Sequence, residues 1–246
     1  MKLPGSAMPG LRLAVLAALL STLASSAQAQ EDGIRQVLSA RLKNLPEITS
    51  VMPSPIPGLY EVVAGGEIFY SDADGSYIVQ GAMIQTRNLR NITQQRLGVV
   101  NAIPFDQLPI QNAIVTRIGS GARKMVVFAD PNCGYCKQLV RNTQSKLTDV
   151  TIYTVVIAIL APDSRTKARD ILCSSDPSAA WTAWMGAGVL PPSAPPSCTP
   201  KALDENIAYA TAKHVFATPT LFFTTGRRVA AAIGAEQAEA LLKGQL

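Results

Sequence analysis

The feature that most constrains this chain is a Cys-x-x-Cys pair, Cys133 and Cys136, inside the segment FADPNCGYCK. The apolar, β-branched run Met125–Ala129 leads into it, and a helix-compatible stretch follows. A strand, a tight turn with proline and a cysteine at a helix start form the context in which this spacing carries redox chemistry. The free N–H groups and partial positive charge of a helix N-terminus favour a thiolate. We therefore expect Cys133 to be the attacking sulfur and Cys136 to close or release a disulfide with it.

A zinc site and a structural disulfide are the alternatives to redox chemistry for this pair. Half of a zinc site has the same spacing, but a zinc site needs two more ligands. The remaining cysteines, Cys173 and Cys198, are 25 positions apart and His214 is the only histidine, which does not match a zinc knuckle. A purely structural Cys133–Cys136 disulfide would close a ring too small to remove much unfolded-state entropy. We favour redox chemistry and expect neither a metal nor a cofactor.

Length and composition indicate a globular chain. The 246 residues leave room for one large domain or two modest ones. Hydrophobic residues make up 48% of the chain and charged residues 16%, which excludes a disordered protein. The net charge of +5 falls to +3 without Lys2 and Arg12, because 20 basic residues then face 17 acidic ones. This excess is too small to indicate a nucleic acid partner.

Residues 1–29 have the pattern of a secretory signal peptide. Lys2 and Arg12 give a positive start, and Leu11–Leu23 is a short apolar core. Ala27 and Ala29 fit the small-x-small cleavage pattern, so we expect cleavage after Ala29. The core is too short to span a bilayer comfortably. We therefore expect a soluble, exported protein whose cysteines lie in an oxidising compartment.

Residues 30–91 are predicted to form a small α+β domain. An amphipathic helix comes first and ends before Pro46. A proline-rich turn that includes Pro53 leads into Leu59–Ile84, a meander of three short strands with a hairpin at Gly65-Gly66. One helix and three short strands make a thin core. We therefore expect this domain to be stabilised by pairing with its own copy through Leu59–Ile84.

Residues 92–109 are predicted to connect two domains. Thr93 is a candidate cap for a helix over Thr93–Ile103, whose apolar residues share one face. Pro104 and Pro109 then interrupt the chain. We expect a solvated or half-buried linker helix.

The second domain, residues 110–246, is predicted to hold a central mixed sheet with helices on both faces. The continuous β-branched run that begins at Val150 suits a buried parallel strand. The predicted strands are Ile114–Ile118, Lys124–Ala129, Val150–Ile159, and Thr220–Thr225 and Arg228–Ile233 around a turn at Gly226. The predicted helices are Lys137–Leu147, Asp163–Ala187 with a restart at Pro177, Lys201–His214 and Glu236–Lys243.

The CGYC motif after a strand, with Thr218-Pro219 entering a late strand in HVFATPTLFF, resembles the thioredoxin superfamily. Together with the small leading domain, the linker helix and the helical insertion, it resembles the bacterial DsbC/DsbG family over essentially the whole mature chain. The resemblance implies an α/β thioredoxin-like fold with a helical insertion, preceded by a small α+β N-terminal dimerisation domain and a linker helix.

The resemblance also assigns residues. Cys133 matches the attacking cysteine of the family and Cys136 its resolving cysteine, with Gly134 and Tyr135 between them. The family's threonine and cis-proline, which face the active site, match Thr218 and Pro219. Its second, structural disulfide matches Cys173 and Cys198.

The function implied by the resemblance is that of a periplasmic protein disulfide isomerase and reductase with chaperone activity. Its expected partners are misfolded disulfide-containing secreted proteins, a membrane thiol reductase of the DsbD type, and a second copy of the chain in a homodimer. Gly134-Tyr135 puts no histidine between the cysteines, which leaves the helix terminus and Lys137 to lower the thiol pKa. His214 is expected to be structural or exposed, and Asp130 to cap a turn beside Pro131.

Three further functions remain as alternatives. A DsbG-like reductase that protects single thiols is disfavoured by Gly134, where a proline would be expected, and by the Cys173–Cys198 pair. A periplasmic chaperone with incidental cysteines would keep its holding activity in a Cys133→Ser variant. A monomeric oxidase would not need the leading domain.

Overall fold

The computed structural model describes residues 28–245, so nearly all of the predicted signal peptide lies outside the described residues. The chain divides into two compact units, the first ending at Val100 and the second beginning at Asn101. This division falls inside the predicted connecting segment 92–109. Among the described residues, no helix is long and apolar enough to cross a membrane.

The first unit is a four-stranded antiparallel meander with a small hairpin and two helices. The sheet runs in the order β1-β2-β3-β4, and both glycines of the predicted Gly65-Gly66 hairpin have positive φ, as a tight two-residue turn requires. Its elements are α1 (28–41), β1 (Ile48–Pro53), β2 (Leu59–Ala64), β3 (Glu67–Asp72), β4 (Ile78–Val79), β5 (Ile84–Gln85), β6 (Arg90–Asn91) and α2 (Ile92–Val100).

The core of this unit has two faces, which corrects the prediction of three strands and one helix. On one face, Ile34 and Leu38 of α1 pack with Val62 and Phe69 of the sheet. On the other face, alternate strand residues (Val63, Ile68 and Tyr70) meet Leu97 and Val100 of α2. A helix therefore covers each face, and α2 packs into the core of the first unit.

The start of α2 also differs from the prediction, because Thr93 does not cap it. The side-chain oxygen of Asn91 accepts a hydrogen bond from the Gln94 N–H at 2.8 Å, which is the contact of a cap. Thr93 is buried, and its hydroxyl accepts from the Met83 N–H at 2.8 Å and pairs with the Tyr70 hydroxyl. Thr93 thus fastens α2 to the sheet.

The second unit holds a five-stranded mixed sheet with helices on both faces, as predicted. Three short 3-10 helices, Phe105–Gln107, Ile110–Asn112 and Gln144–Lys146, complete it. Its elements are β7 (Ile114–Ile118), β8 (Arg123–Ala129), α3 (Gly134–Asn142), β9 (Val150–Val156), α4 (Ser164–Leu172), α5 (Pro177–Ala187), α6 (Lys201–Ala212), β10 (Thr220–Phe223), β11 (Arg228–Val229) and α7 (Ala235–Leu242).

The sheet order β11-β10-β8-β9-β7 puts β8 in the centre, parallel to β9 and antiparallel to β10. Side chains of β8 alternate between two cores. Met125 and Val127 pack with α3, α4, α5 and α7, whereas Val126 and Phe128 pack with α6 and the 3-10 segments. The segment that follows β8 therefore starts at the carboxyl edge of the parallel pair, where α/β folds build their sites.

Several predicted bounds in this unit were wrong. The helix after the Cys-x-x-Cys pair begins at Gly134 instead of Lys137, and it ends at Asn142. The two late strands are shorter than predicted, ending at Phe223 and Val229. The chain turns between them at Gly226, where φ is +81°, as predicted.

Cys173 and Cys198 form a disulfide that ties the end of α4 to the loop between α5 and α6. The same loop is also held by hydrogen bonds. The Ala194 N–H donates to the carboxylate of buried Asp170 at 2.9 Å, and Arg169 donates to the Ala194 carbonyl at 3.1 Å. The helical insertion between β9 and β10 (α4, α5 and α6) is thus closed on itself.

Candidate active site

Cys133 is the N-cap of α3, directly after the turn that leaves β8. Its extended backbone (φ −72°, ψ 112°) turns the side chain back over the first turn, where the sulfur accepts a hydrogen bond from the Cys136 N–H at 3.1 Å. Both cysteines are free thiols, and each is at most 3% exposed. A sulfur in this position occupies the place of the side-chain oxygen in an ordinary helix cap.

The loop before β10 brings Thr218 and Pro219 to the same sulfur. The Thr218–Pro219 peptide bond is cis, and the Cys133 thiol donates to the Thr218 carbonyl at 3.2 Å. The sheet brings Thr218 close to Cys133, because Thr220 pairs with Phe128 in the β10–β8 register. Residues 85 positions apart in the chain therefore lie in contact.

The two thiols have opposite electrostatic environments. A hydrogen bond from the Cys136 thiol is the main cause that lowers the pKa of Cys133 to about 6, and the N–H groups of Cys136 and Tyr135 add to it against the effect of burial. Burial is the main cause that raises the pKa of Cys136, and the hydrogen bond and charge of Cys133 raise it further. Near neutral pH this arrangement holds a thiolate at Cys133 and a thiol at Cys136.

Lys137, expected as a possible helper, does not act on the sulfur. Its ammonium lies over the ring of Trp184, 4.2 Å from the ring centroid. The groups that lower the pKa of Cys133 all donate hydrogen bonds to it.

Asp130 has a structural role at this turn. Its carboxylate is fully buried and accepts four hydrogen bonds of 2.7–3.0 Å, from the Asn132, Ile159 and Leu160 N–H groups and from the Ser164 hydroxyl. These four hydrogen bonds occupy the acceptor positions of the two carboxylate oxygens. Asp130 thus joins the turn before Cys133 to the segment after β9.

Two aromatic residues close in sequence to Cys133 and to Thr218 have exposed rings. Tyr135, between the cysteines, is 66% exposed, and a side chain added at Gly134 would meet open space. Phe216, two residues before Thr218, is 61% exposed. His214 is exposed and packs its ring edge-on against Phe216 at 5.8 Å. Cys173 and Cys198 belong to the closed loop of the insertion and take no part in these contacts.

Sequence reasoning missed a polar group on the other side of the turn. Asn132 donates to Asp163 and Ser164 and accepts from the Lys167 ammonium at 2.6 Å. Trp184 of α5 donates its indole N–H to the Pro131 carbonyl at 2.7 Å. These partners are 31 to 53 positions apart in the chain, so no local pattern indicates them.

Comparisons with known proteins match both parts of the chain. Residues 25–94 match the model of the disulfide bond isomerase protein N-terminal domain, and residues 110–244 match that of the thioredoxin-like domain. A probable thiol:disulfide interchange protein DsbC of Bordetella avium is 42% identical over 199 residues, covering 81% of this chain and 70% of the relative. The corresponding protein of Bordetella pertussis is 38% identical over 220 residues, covering 88% and 77%.

A solved structure shares the fold of part of this chain. The crystal structure of a disulfide interchange protein from Neisseria gonorrhoeae matches with a TM-score of 0.52 and 32% identity, over 56% of this chain and 98% of that one.

Proposed function

Since this chain belongs to the DsbC family of thiol:disulfide interchange proteins, we propose that Cys133 and Cys136 are the redox-active pair with which it isomerises and reduces wrong disulfides in secreted proteins. The observation that carries the proposal is the Cys133 sulfur at the N-cap of α3, 3.1 Å from the Cys136 N–H and 3.2 Å from the Thr218 carbonyl. A sulfur so surrounded is a nucleophile beside a peptide-binding edge.

The first step is an exchange of sulfur bonds. The Cys133 thiolate attacks one sulfur of a substrate disulfide, forms a new S–S bond with it and expels the other substrate sulfur as a thiolate. No electrons leave or enter, because one disulfide replaces another. The lowered pKa of Cys133 supports this step, since it keeps the thiolate populated at neutral pH.

The mixed disulfide then resolves by one of two routes. In isomerisation, another substrate thiolate attacks the substrate sulfur, forms the new substrate disulfide and returns Cys133 as a thiolate. In reduction, Cys136 loses its proton and attacks Cys133, which releases a reduced substrate and leaves a Cys133–Cys136 disulfide. Burial, the main cause that raises the pKa of Cys136, favours the first route, because it disfavours the Cys136 thiolate.

The reductive route transfers two electrons to the substrate, so the pair must be reduced again. We propose a membrane thiol reductase of the DsbD type as that partner, in the periplasm, with export directed by residues 1–29. The reduced site is the form that attacks, so isomerisation depends on this supply.

Substrates are proposed to bind as extended chain along the cis-proline loop. The backbone beside Thr218–Pro219 adjoins the Cys133 sulfur, and an unfolded segment can add to such an edge as a strand. The exposed rings of Tyr135 and Phe216 are suited to binding apolar segments of misfolded substrates. The same binding would account for the proposed chaperone activity.

A second copy of the chain is the proposed partner of the first unit. β4 is a two-residue strand at the edge of the four-stranded sheet. Tyr77, Ile78, Val79 and Ile84 around it all have exposed apolar side chains. An apolar sheet edge is a template for pairing with another strand, so these exposed side chains support a homodimer joined through Leu59–Ile84.

Recovery of activity from a scrambled, multiply disulfide-bonded protein tests the function. The reduced mature chain is expected to restore activity, and Cys133→Ser is expected to restore none while still suppressing aggregation. The double variant Cys173→Ser/Cys198→Ser is the matched control and should remain active. If wild type and Cys133→Ser both suppress aggregation and neither restores activity, the protein is a chaperone and its cysteines are incidental. Protection of single thiols without reshuffling would favour the DsbG-like alternative.

A further inference from the structure

Trp184 is the one side chain of α5 that, among the described residues, contacts the turn in front of Cys133 through a hydrogen bond. Its indole N–H donates to the Pro131 carbonyl at 2.7 Å. Pro131 lies two residues before Cys133 and is itself buried. A short, well-directed bond to a buried carbonyl fixes the orientation of the peptide unit that joins Pro131 to Asn132.

The face of the same indole holds two lysines. The Lys137 ammonium is 4.2 Å from the ring centroid and the Lys167 ammonium 5.0 Å. Cation–π attraction at these distances is favourable, especially where the side chains are half-buried. Lys167 also pairs with Asp163 at 2.7 Å and donates to the Asn132 side chain at 2.6 Å.

The turn is therefore held at each residue that precedes Cys133. The Asp130 carboxylate accepts from the Asn132 N–H at 2.7 Å, the indole holds the Pro131 carbonyl, and Lys167 holds the Asn132 side chain. Two of these three contacts involve Trp184 or a lysine on its ring. We propose that Trp184 is a positioning residue for Cys133, acting from the helical insertion through the Pro131 carbonyl and through Lys167.

The effect on Cys133 follows from the direction of its donors. The thiolate is stabilised by the Cys136 thiol and by N–H groups of the first turn of α3, and hydrogen bonds weaken steeply when the donor angle is lost. If the turn before Cys133 changes its orientation, the sulfur moves away from these donors. Trp184 thus acts on the reaction without touching the reacting sulfur. This inference rests on the proposed thiolate chemistry of Cys133.

The test measures the pKa of Cys133 in the reduced, full mature chain, from the ultraviolet absorbance of the thiolate. Trp184→Phe keeps an aromatic ring and removes the N–H donor. In this variant the midpoint of the Cys133 titration is expected to rise by about one pH unit. Alkylation of Cys133 at pH 6 then becomes about five-fold slower. Lys167→Met keeps the indole and removes the bond to Asn132, and a smaller rise is expected.

Matched controls separate positioning from general stability. Tyr209→Phe removes a comparable contact from α6, the hydrogen bond that the hydroxyl of this aromatic side chain donates to the Gln107 carbonyl at 2.9 Å. Lys201→Met breaks the exposed i,i+4 pair with Glu205, as Lys167→Met breaks the one with Asp163. Both controls are expected to keep the wild-type midpoint, even where their thermal unfolding temperature falls.

The outcomes distinguish this inference from the proposed function. A wild-type midpoint in Trp184→Phe overturns the inference, however much its stability changes. If Trp184→Phe does not fold, a wild-type midpoint in Lys167→Met overturns it instead. If Cys133→Ser keeps isomerase activity, the proposed function fails. If Cys133→Ser is inactive and Trp184→Phe titrates like wild type, only the positioning role is wrong.

Discussion

Cys133 and Cys136 lie one helical turn apart, yet their surroundings favour different protonation states. Cys133 faces the N–H groups of the first turn, which favour the negative charge. Cys136 points into the core between α3 and the sheet, where burial disfavours any charge. The thiol of the second residue then donates to the thiolate of the first. Each cysteine thus sets the protonation state of the other.

The first prediction at the residue scale concerns pH. Cys133 is reactive only as a thiolate, so its alkylation rate should rise with pH, reach half its maximum near pH 6 and level off by about pH 7 to 8. An ordinary thiol would instead give a midpoint of about 8.5. The measurement is the rate of carboxymethylation of the reduced chain against pH. A midpoint above pH 8 would mean that the hydrogen bonds to the sulfur do not stabilise its charge.

Residues of the candidate site were predictable where a local pattern carries them. The role of Cys133 at a helix start and of Asp130 in the turn follow from strand, proline and helix signals within ten residues. Trp184 and Lys167 were not predictable, because their link to the turn depends on how α4 and α5 pack on α3. A tryptophan in an apolar helix is most simply interpreted as core, and nothing in its neighbours indicates a hydrogen bond to Pro131.

At the scale of elements, the helical insertion carries its own fastening. The Cys173–Cys198 disulfide closes a loop of 25 residues, and Asp170 and Arg169 hold the same loop through Ala194. The hydrogen bonds act in the folded state, whereas the disulfide mainly restricts the unfolded chain. Stability and geometry therefore depend on different contacts in this loop.

Removing the disulfide should consequently lower stability and spare activity. Cys173→Ala/Cys198→Ala is expected to lose about 3.5 kcal/mol of unfolding free energy in the loop-entropy model. Urea unfolding of the second unit measures this loss, and refolding of a scrambled substrate measures activity. A variant that is as stable as wild type, or one that is stable enough to fold but inactive, would contradict the separation of the two roles.

The elements were predicted well where apolar periodicity is long and poorly where it is short. β7 was predicted at its observed bounds, and the prediction of a parallel strand at β9 was confirmed by its pairing with β8. β1 was missed because it contains Pro53, and a proline is a turn signal in sequence. Pro53 is the last residue of an edge strand, where no ladder hydrogen bond is needed on the outer side. β5 and β6 have two residues each, too few for a periodic signal.

At the scale of the whole molecule, the predicted fold class is confirmed as an N-terminal domain of the DsbC family followed by a thioredoxin-like domain. The limits 30–91, 92–109 and 110–246 stay predictions. Packing of α2 into the first core was not foreseeable from its sequence, because Leu97 and Val100 give it only a weak apolar face.

The prediction for the whole molecule concerns dimer formation through the first unit. Val79→Lys puts a charge on the exposed edge strand of the first unit, where Val79 is 53% exposed, and like charges on paired edges should dissociate a dimer. Sedimentation at micromolar concentration should therefore show a dimer for wild type and a monomer for Val79→Lys. Val115→Lys is the matched control, since Val115 is 47% exposed on β7, the edge strand of the other sheet. A monomeric wild type would refute pairing through Leu59–Ile84.

Both tryptophans of the chain lie on α5, the helix that packs against the α3 of the redox pair. Trp181 is buried in the same core cluster as Cys136, and Trp184 donates a hydrogen bond to the turn before Cys133. All tryptophan fluorescence of this protein therefore comes from the helix that contacts the turn before Cys133 and shares a core with Cys136. Intrinsic fluorescence, with no added label, therefore offers a test of whether closing or opening of a Cys133–Cys136 disulfide changes the surroundings of α5.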